Sequence, residues 1–307
     1  MKKNKSIWGA IVVIIVVAIF SLFTNFNNII TIDVGELPSS FSLEENSNLQ
    51  ILYFNVGQAD SILIVDNGQT MLIDAGDNSD GKLLVEYIKQ LGISKIDYLI
   101  GTHIHADHIG GMYDIINAFE IGRIYMPYVS VQTESATYRD VKQAIKDKNL
   151  LIEETKIGMS FEIGDADCII KYVNNEEPKN LNNQSIIIEM ALNEQTYLFM
   201  GDTEKAIENS DKIEWKKTNV LKVGHHGSDT SSSEKFIDTI LPDIAIISVG
   251  TNNSYNHPSL EVINRLIAVC IPNGLYRTDK DDTIFLVNVN GKNIVKKLET
   301  KVDGNAR

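Results

Sequence analysis

Cysteine is scarce in this sequence, and its scarcity excludes two classes of protein. Only two of the 307 residues are cysteines, Cys168 and Cys270, about a hundred positions apart. They form no CxxC metal knuckle and no dense disulfide framework of the kind that holds small secreted domains together. The sequence leaves open whether the two thiols are free or form a single bridge.

Positive charge is also in the minority. The chain carries 28 Lys and Arg residues against 41 Asp and Glu residues, a net charge of −13 at pH 7. This balance excludes a basic surface across the whole domain, the usual electrostatic footprint of nucleic-acid binding. A nucleic-acid substrate is not excluded, but it would have to be bound locally. The hydrophobic share, 43%, excludes a disordered polymer.

Long hydrophobic runs are absent except at residues 7–23, and one run excludes a multi-pass membrane protein. Lys2, Lys3 and Lys5 precede it, and no charge follows until Asp33. As a helix the run would be about 26 Å long, near the lower limit for crossing a bilayer. Because lysines stay on the cytoplasmic side, we expect residues 1–24 to be a single-pass anchor in the cell membrane, with the catalytic domain extracellular.

Two other interpretations of this segment stay open. A cleaved signal peptide would release the protein as a secreted form, although no A-x-A-like cleavage site follows the run. A buried core helix is the other. Residues 25–48 are polar, contain a Pro-Ser-Ser break and predict a linker. Residues 49–307 then suit one large α/β domain.

Within this domain, short apolar runs alternate with helical patterns. Strands are predicted at residues 49–56, 61–65, 70–73, 96–100, 123–126, 168–173, 185–191, 196–200, 220–223, 244–249 and 283–289. Helices are predicted at residues 83–91, 111–119, 138–148, 204–210, 232–240 and 260–269. Strand runs at both ends favour two sheets packed face to face with helices outside, a four-layer αββα sandwich. The pattern alone fits a doubly wound fold nearly as well.

The histidines are few and clustered. The chain has six, and His103, His105 and His108 fall within six positions directly after a predicted strand. In extended backbone His103 and His105 point the same way, and Asp107 adds a carboxylate. Imidazoles with a carboxylate are typical ligands of zinc and similar metals. The sequence therefore predicts a metal site on this loop.

The segment HIHADH resembles the H-x-H-x-D-H signature of the metallo-β-lactamase superfamily, whose fold is the αββα sandwich. Further pieces of the family's pattern follow in order. Asp74 lies in an Asp-x-Gly motif that supports the histidine loop in the family. Asp202 follows a predicted strand at the position of the carboxylate that bridges two metals, and His225 matches the last ligand.

One branch of the superfamily is more similar. Residues 54–61 (FNVGQADS) resemble the F-x-D-V-G-Q-G-D-[SA] opening of the extracellular hydrolase domain of ComEC-type DNA-uptake proteins. The segments NNQS, HHGS and NHPS fit that branch too, and the likeness covers residues 49–289. Asn55 and Ala59 depart from the opening pattern. A single hydrophobic run also means that this chain is not itself a DNA channel.

The resemblance implies two divalent ions, zinc first and manganese as the alternative. The first site would use His103, His105, the bridging Asp202 and either an Asn183 amide oxygen or water, and the second would use Asp107, His108, Asp202 and His225. Many superfamily members have a further histidine for the first metal, but none lies between His108 and His225 here. A weaker first site would lower occupancy or favour manganese.

A mechanism follows from two such ions, which lower the pKa of a bridging water and give hydroxide as the nucleophile. Asp107 would orient that hydroxide. His226 and His257 are not needed as ligands, so each is a candidate for protonating a leaving group or holding a phosphate oxygen. Ser228 would donate to phosphate or cap the next helix. Asn183 would bind metal or substrate, or cap a turn.

The function favoured by these residues is a metal-dependent phosphodiesterase, a nuclease if the substrate is DNA, acting outside the membrane. Two alternatives stay open. One is a hydrolase of another envelope substrate, a teichoic-acid phosphodiester or a β-lactam. The other is an inactive metal-binding partner module. The acidic charge favours a small or short substrate.

Overall fold

The structure is a computed structural model that describes residues 49–298 except 129–134 and 177–179, together with residues 42–44, residue 47 and the backbone of residues 32–34. The predicted anchor, residues 1–24, lies outside the described residues, as does most of the predicted linker. Within the described part, no helix has both the length and the apolar character needed to span a bilayer.

Two mixed sheets make up the centre of the molecule. Their strands are β1 Ile32–Val34, β2 Leu49–Tyr53, β3 Ser61–Asp66, β4 Gln69–Ala75, β5 Lys95–Ile100, β6 Glu120–Tyr125, β7 Ile152–Glu153, β8 Ser160–Ile163, β9 Ala166–Tyr172, β10 Ile187–Leu192, β11 Gln195–Phe199, β12 Val220–Lys222, β13 Ile244–Ile247, β14 Leu275–Arg277, β15 Thr283–Val289 and β16 Lys292–Leu298. One sheet has nine strands in the order β1-β16-β15-β2-β3-β4-β5-β6-β7. The other has seven, in the order β14-β13-β12-β11-β10-β9-β8.

The α-helices in the described part of the chain lie in the connections between strands. They are α1 Gly81–Gln90, α2 Ala106–Ile109, α3 Met112–Ala118, α4 Ala136–Asp147, α5 Lys205–Glu208, α6 Glu234–Ile240, α7 Leu260–Val269 and α8 Thr278–Asp281. Three of them start at a serine whose side chain accepts a hydrogen bond from a backbone N–H in the first turn. Such caps satisfy donors that the helix itself leaves unpaired. The caps are Ser135, Ser233 and Ser259.

Three hydrophobic cores lie between the layers of the sandwich. The central core lies between the sheets and includes Ile51 and Ile188. A second core, with Leu63 and Leu84, packs α1, α3 and α4 on the nine-stranded sheet. A third, with Phe236, packs α6 and α7 on the seven-stranded sheet. The middle strands β2, β3 and β13 are buried along their whole length because both of their faces are covered. The predicted two-sheet sandwich is therefore confirmed, and the doubly wound alternative is wrong.

Several elements differ from the sequence prediction. Strands β7, β8, β14 and β16 were not predicted, and the loop after β5 contains the short helix α2. Within the predicted linker, Ile32–Val34 form β1, which pairs parallel with β16. Cys168 in β9 is buried, Cys270 is partly buried, and both are free, so the two do not form a bridge.

Candidate metal centre

The candidate site lies where parallel strands end. Strands β4, β5 and β6 run parallel in one sheet, as do β11, β12 and β13 in the other. Asp74 stands at the end of β4, and the HIHADH loop follows β5. Asp202 follows β11, and the two adjacent histidines follow β12. One edge of the sandwich thus collects every histidine of the chain, a placement that the order of the strands imposes.

The histidine loop is held against the end of β4 by Asp74. Its Oδ1 accepts a hydrogen bond from the Thr102 N–H (2.8 Å), and its Oδ2 accepts one from Thr102 Oγ1 (2.8 Å) and lies 2.8 Å from His108 Nδ1. The Gly110 N–H donates to the Gly76 carbonyl (3.0 Å). Gly111 is required by this close approach, because a Cβ there would lie 2.2 Å from the Ala75 carbonyl oxygen.

Two groups of potential ligands share one carboxylate. Within each group the ligand atoms all lie within 4.8 Å of one another. The first cluster consists of His103, His105 and Asp202, and the second cluster consists of Asp107, His108, Asp202 and His226. Asp202 Oδ2 lies 3.9 Å from His103 Nε2 and 3.2 Å from His108 Nε2. A single carboxylate is therefore placed to bridge two cations.

The structure places the two adjacent histidines differently from the sequence prediction. His226, predicted to be free for catalysis, belongs to the second cluster, with Nε2 3.4 Å from Asp107 Oδ2 and 3.8 Å from Asp202 Oδ2. His225, predicted as the second-site ligand, has Nε2 3.9 Å from Asp202 Oδ2 and 3.3 Å from Asn182 Nδ2, and its Nδ1 lies 2.9 Å from Thr230 Oγ1. It belongs to neither cluster of mutually close ligand atoms. Both histidines have left-handed backbone, with φ of 48° and 51°. Such strain is tolerated mainly at functional sites.

Three buried atoms of the second cluster lack the partner that a cation would supply. His108 Nε2, His226 Nε2 and Asp202 Oδ1 are buried without a hydrogen-bond partner. Buried polar atoms are nearly always paired, so three orphans in one place require an explanation. Imidazole nitrogens and a carboxylate oxygen are ligands for divalent transition metals. The donor set therefore fits two metal ions, although it does not select zinc over other metals.

Charge interactions are strong at this centre. Burial alone would raise the pKa of Asp202, but the imidazoles of His108 and His226 outweigh it and hold that pKa well below the usual range. Burial would lower the pKa of His108, yet the carboxylates of Asp202 and Asp74 hold it well above the usual value. For His103, burial dominates and keeps the pKa well below normal. In the metal-free protein, these carboxylates thus favour the protonated form of His108.

A pocket of about 300 Å³ opens above the two clusters. Its wall combines His105, Asp107 and Asp202 with side chains from other loops, Asn182 and His257 among them. No lysine or arginine of the described residues lines it. The volume is at the lower end of the range for small-molecule sites. Positive charge for an anionic substrate would therefore have to come from the bound metals.

The comparisons with known proteins agree with this geometry. A model of the family described as Metallo-beta-lactamase superfamily matches residues 54–251. The chain belongs to the metallo-beta-lactamase superfamily. It is 34% identical over 207 residues to ComE operon protein 3 of Bacillus subtilis, a match that covers 66% of this chain and 26% of that protein. It is 31% identical over 222 residues to Recombination protein 2 of Haemophilus influenzae, covering 71% and 26% of the two chains.

Together with Competence protein ComA of Neisseria gonorrhoeae, which is 26% identical over 235 residues, these matches confirm the predicted resemblance to competence proteins, and the superfamily fold supports a hydrolase. The chain spans about a quarter of the length of the curated relatives it matches. Among solved structures, the metallo-beta-lactamase fold protein YhfI from Bacillus subtilis aligns with 74% of this chain and 95% of its own, with a TM-score of 0.47 and 10% identity.

Asn183 and Ser228, which were predicted to bind substrate, lie outside the lining of the pocket. Asn183 Oδ1 accepts a hydrogen bond from the Glu204 N–H (3.1 Å), and Ser228 Oγ accepts one from the Thr230 N–H (3.2 Å). Neither lines the pocket. The neighbouring Asn182 does line it, with Nδ2 contacting His225 and Glu204 and with a buried, unpartnered Oδ1. The NNQS motif was thus informative, but the first asparagine of the pair is the one that reaches the site.

A buried ion pair behind the second cluster was missed by the sequence analysis. Lys222 Nζ donates to Asp60 Oδ2 at 2.6 Å, and both side chains are at most 1% exposed. Asp60 Oδ1 lies 3.5 Å from His226 Nδ1, and the Asp60 N–H donates to the Asp107 carbonyl (3.0 Å). The signal was present, because Asp60 belongs to the opening motif and Lys222 precedes the HHGS motif. The pair joins these two motifs and supports two members of the second cluster.

Proposed function

We propose that this chain is a metal-dependent phosphodiesterase that uses two divalent ions, zinc or manganese. The observation that carries the proposal is the shared Asp202 between two ligand clusters at the floor of a small pocket. Two-metal sites suit in-line displacement at phosphorus, because the pair of cations stabilises both the attacking and the leaving oxygen. The similarity to competence proteins supports a DNA strand as the substrate.

The residues of the chain divide the work as follows. Bound divalent cations would supply a nucleophile from water at neutral pH and neutralise charge on a phosphoryl oxygen. Asp107, whose side chain is 34% exposed, faces both the pocket and His226 and would orient the attacking water. Asn182 also lines the pocket, and because its Nδ2 contacts Glu204 Oε1 (3.0 Å) and His225 Nε2 (3.3 Å), its unpartnered Oδ1 is the atom that would meet a cation or a donor of the substrate.

His257 is placed to assist the leaving group. It lines the pocket, with its ring centroid 5.6 Å from that of His225. Partial burial, and then the nearby His225 and His226, lower its pKa. The ring is therefore neutral at physiological pH, and its N–H would donate a hydrogen bond to the departing oxygen.

The pocket also fits a second candidate substrate. A teichoic-acid phosphodiester of the cell envelope would meet the same metal centre. The net charge of −13 favours a short or small substrate, as does the lack of lysine and arginine among the described residues that line the pocket. Both candidates require the same chemistry at phosphorus. They differ in whether the substrate carries a base.

The direct test uses the purified full chain with zinc or manganese. It should hydrolyse bis-p-nitrophenyl phosphate and DNA, and it should leave a chromogenic cephalosporin intact. A glycerol-phosphate polymer tests the second candidate. Asp202→Ala is the control for contaminating enzymes. If the wild type cleaves no phosphodiester with any divalent metal, the proposal is wrong.

We further propose that the domain works outside the cell membrane, held by the predicted anchor at residues 1–24. Protease added to intact cells should then remove the domain while a cytoplasmic control protein survives. Appearance of the protein in the medium would favour the secreted form, and full protection of the domain would contradict both.

A further inference from the structure

One exposed aromatic side chain stands at the entrance of the metal pocket. Tyr255 is 67% exposed and yet lines the pocket that contains His105 and Asp202. Its ring lies nearly parallel to that of His257, at 19° with a centroid distance of 5.7 Å. His257 in turn meets His225 edge-on. One face of the Tyr255 ring therefore stacks on His257, which in turn contacts His225 beside the metal centre. The Tyr255 side chain remains accessible from outside.

The loop that carries Tyr255 is held in place by Asn253. The Asn253 Oδ1 accepts hydrogen bonds from the N–H groups of Tyr255 (3.2 Å) and His257 (3.0 Å). Its Nδ2 donates to the carbonyls of Gly250 (2.9 Å) and His257 (2.7 Å). One side chain thus makes four bonds within its own loop. A ring on a preorganised loop loses little freedom when a ligand stacks on it, which strengthens binding.

An exposed aromatic ring at this pocket would supply binding affinity that does not depend on charge. Proteins that hold single-stranded nucleic acid combine a cationic groove with aromatic side chains on which bases stack. Here the pocket has no lysine or arginine among its described lining residues. Metals at the two clusters would bind the phosphodiester itself. Affinity for the rest of a nucleotide would then have to come from an uncharged contact, and Tyr255 is the exposed aromatic side chain in this wall.

We propose that Tyr255 stacks on a nucleobase next to the phosphodiester held at the metal centre. The inference rests on the proposed phosphodiesterase function and names its substrate class, a nucleic-acid strand. A glycerol-phosphate polymer offers no planar group to this subsite. Because stacking does not involve counterion release, binding at this subsite should depend only weakly on salt.

The test compares substrates with and without a base. Dithymidylate and diuridylate present a base beside the phosphodiester on deoxyribose and ribose, and an abasic dinucleotide analogue lacks it. Tyr255→Ala should raise the KM for the base-bearing substrates about tenfold and leave the abasic analogue unchanged, whereas Tyr255→Trp should keep the wild-type KM. Tyr113→Ala, at an exposed tyrosine of α3, is the matched control and should change neither.

A second measurement needs no turnover. Calorimetric titration of the metal-loaded protein with thymidine 5′-monophosphate and with deoxyribose 5-phosphate should show preference for the nucleotide in the wild type and equal binding in Tyr255→Ala. If wild type and Tyr255→Ala bind and cleave alike, the subsite is absent although the phosphodiesterase stands. If nothing is cleaved but the nucleotide preference disappears with Tyr255, the subsite stands and the proposed reaction falls.

Discussion

The two clusters of the metal centre differ in how the protein supports them. In the second cluster, His108 and His226 are buried, and each has its outer nitrogen fixed, His108 Nδ1 by Asp74 (2.8 Å) and His226 Nδ1 by the Ser248 carbonyl (2.9 Å). In the first cluster, His105 is partly exposed, and His103 Nδ1 meets only the hydroxyls of Thr102 (3.2 Å) and Ser185 (3.4 Å).

This difference has a consequence for metal binding. A carboxylate or carbonyl behind a histidine fixes its tautomer and makes it a more basic ligand, and loss of such support costs about 10–100-fold in affinity. The second cluster also has four potential ligands where the first has three. We therefore expect a tight ion in the second cluster and a weaker, exchangeable ion in the first. The first cluster is the one that the sequence, lacking a further histidine, predicted to be weak.

Removal of the shared carboxylate should have the largest effect. Asp202→Ala should lose both ions and with them nearly all phosphodiesterase activity, because one side chain serves both clusters. Elemental analysis after gel filtration and the rate on bis-p-nitrophenyl phosphate measure the two losses. Metal content equal to that of the wild type would contradict the bridging role.

The second-largest effect is expected on the free energy of unfolding, from disruption of the buried Asp60–Lys222 ion pair. Lys222→Met removes the cation that pairs with Asp60 Oδ2 and leaves His226 Nδ1 (3.5 Å) as the remaining cationic partner of this buried carboxylate, which should lower the free energy of unfolding of the metal-free protein by about 3–5 kcal/mol. The double variant Asp60→Asn/Lys222→Met removes both charges of the pair and should recover most of that loss. Urea unfolding gives both values. If the double variant is as unstable as the single variant, the lysine acts through packing rather than charge.

A change outside both clusters should slow the chemistry without releasing metal. His257→Ala should reduce kcat by about 10²-fold, the lower end of the range for acid–base assistance. Metal content should remain that of the wild type, because His257 belongs to neither cluster. Steady-state kinetics and elemental analysis on the same preparation test this. A full wild-type rate on every phosphodiester would make the residue structural.

The smallest effect in this series is expected from Asp74→Asn, which should weaken metal binding in the second cluster alone. Asp74→Asn keeps the side-chain shape but loses the carboxylate that accepts from His108 Nδ1. Metal affinity should decrease about 10-fold in the second cluster, with little change in the first. Competition with a chromogenic chelator measures both affinities. Equal weakening of the two ions would mean that Asp74 acts on the whole loop through Thr102.

The sequence predicted most members of the two clusters because they lie in one short segment. HIHADH follows a strand directly, so its spacing alone places His103, His105, Asp107 and His108 together. Asp202 was assigned through the family resemblance, from its place in the order of motifs behind HIHADH, because a Gly-Asp after a strand is by itself a weak signal. The strands that were missed are short or rich in charge: β8 and β14 have four and three residues, and β16 contains Lys292, Lys296 and Lys297.

The choice between neighbouring residues could not be made from the sequence. His225 and His226 follow the same strand, and only their left-handed backbone decides which side chain enters the second cluster. The same holds for Asn182 and Asn183 in their short 3-10 turn. The Asp60–Lys222 pair joins residues 162 positions apart, a contact that depends on the packing of the two sheets. Local patterns carry no information on that packing.

Metal titration of two single variants tests the central claim most directly. Metal-free wild type, His105→Ala and His108→Ala are titrated with zinc and with manganese by calorimetry, with elemental analysis after dialysis. The wild type should bind two ions, one tightly and one weakly. His105→Ala should retain the tight ion, and His108→Ala should lose it. If both variants lose the same ion with the same affinity, or if the wild type binds a single ion per chain, two unequal clusters sharing Asp202 do not describe this protein.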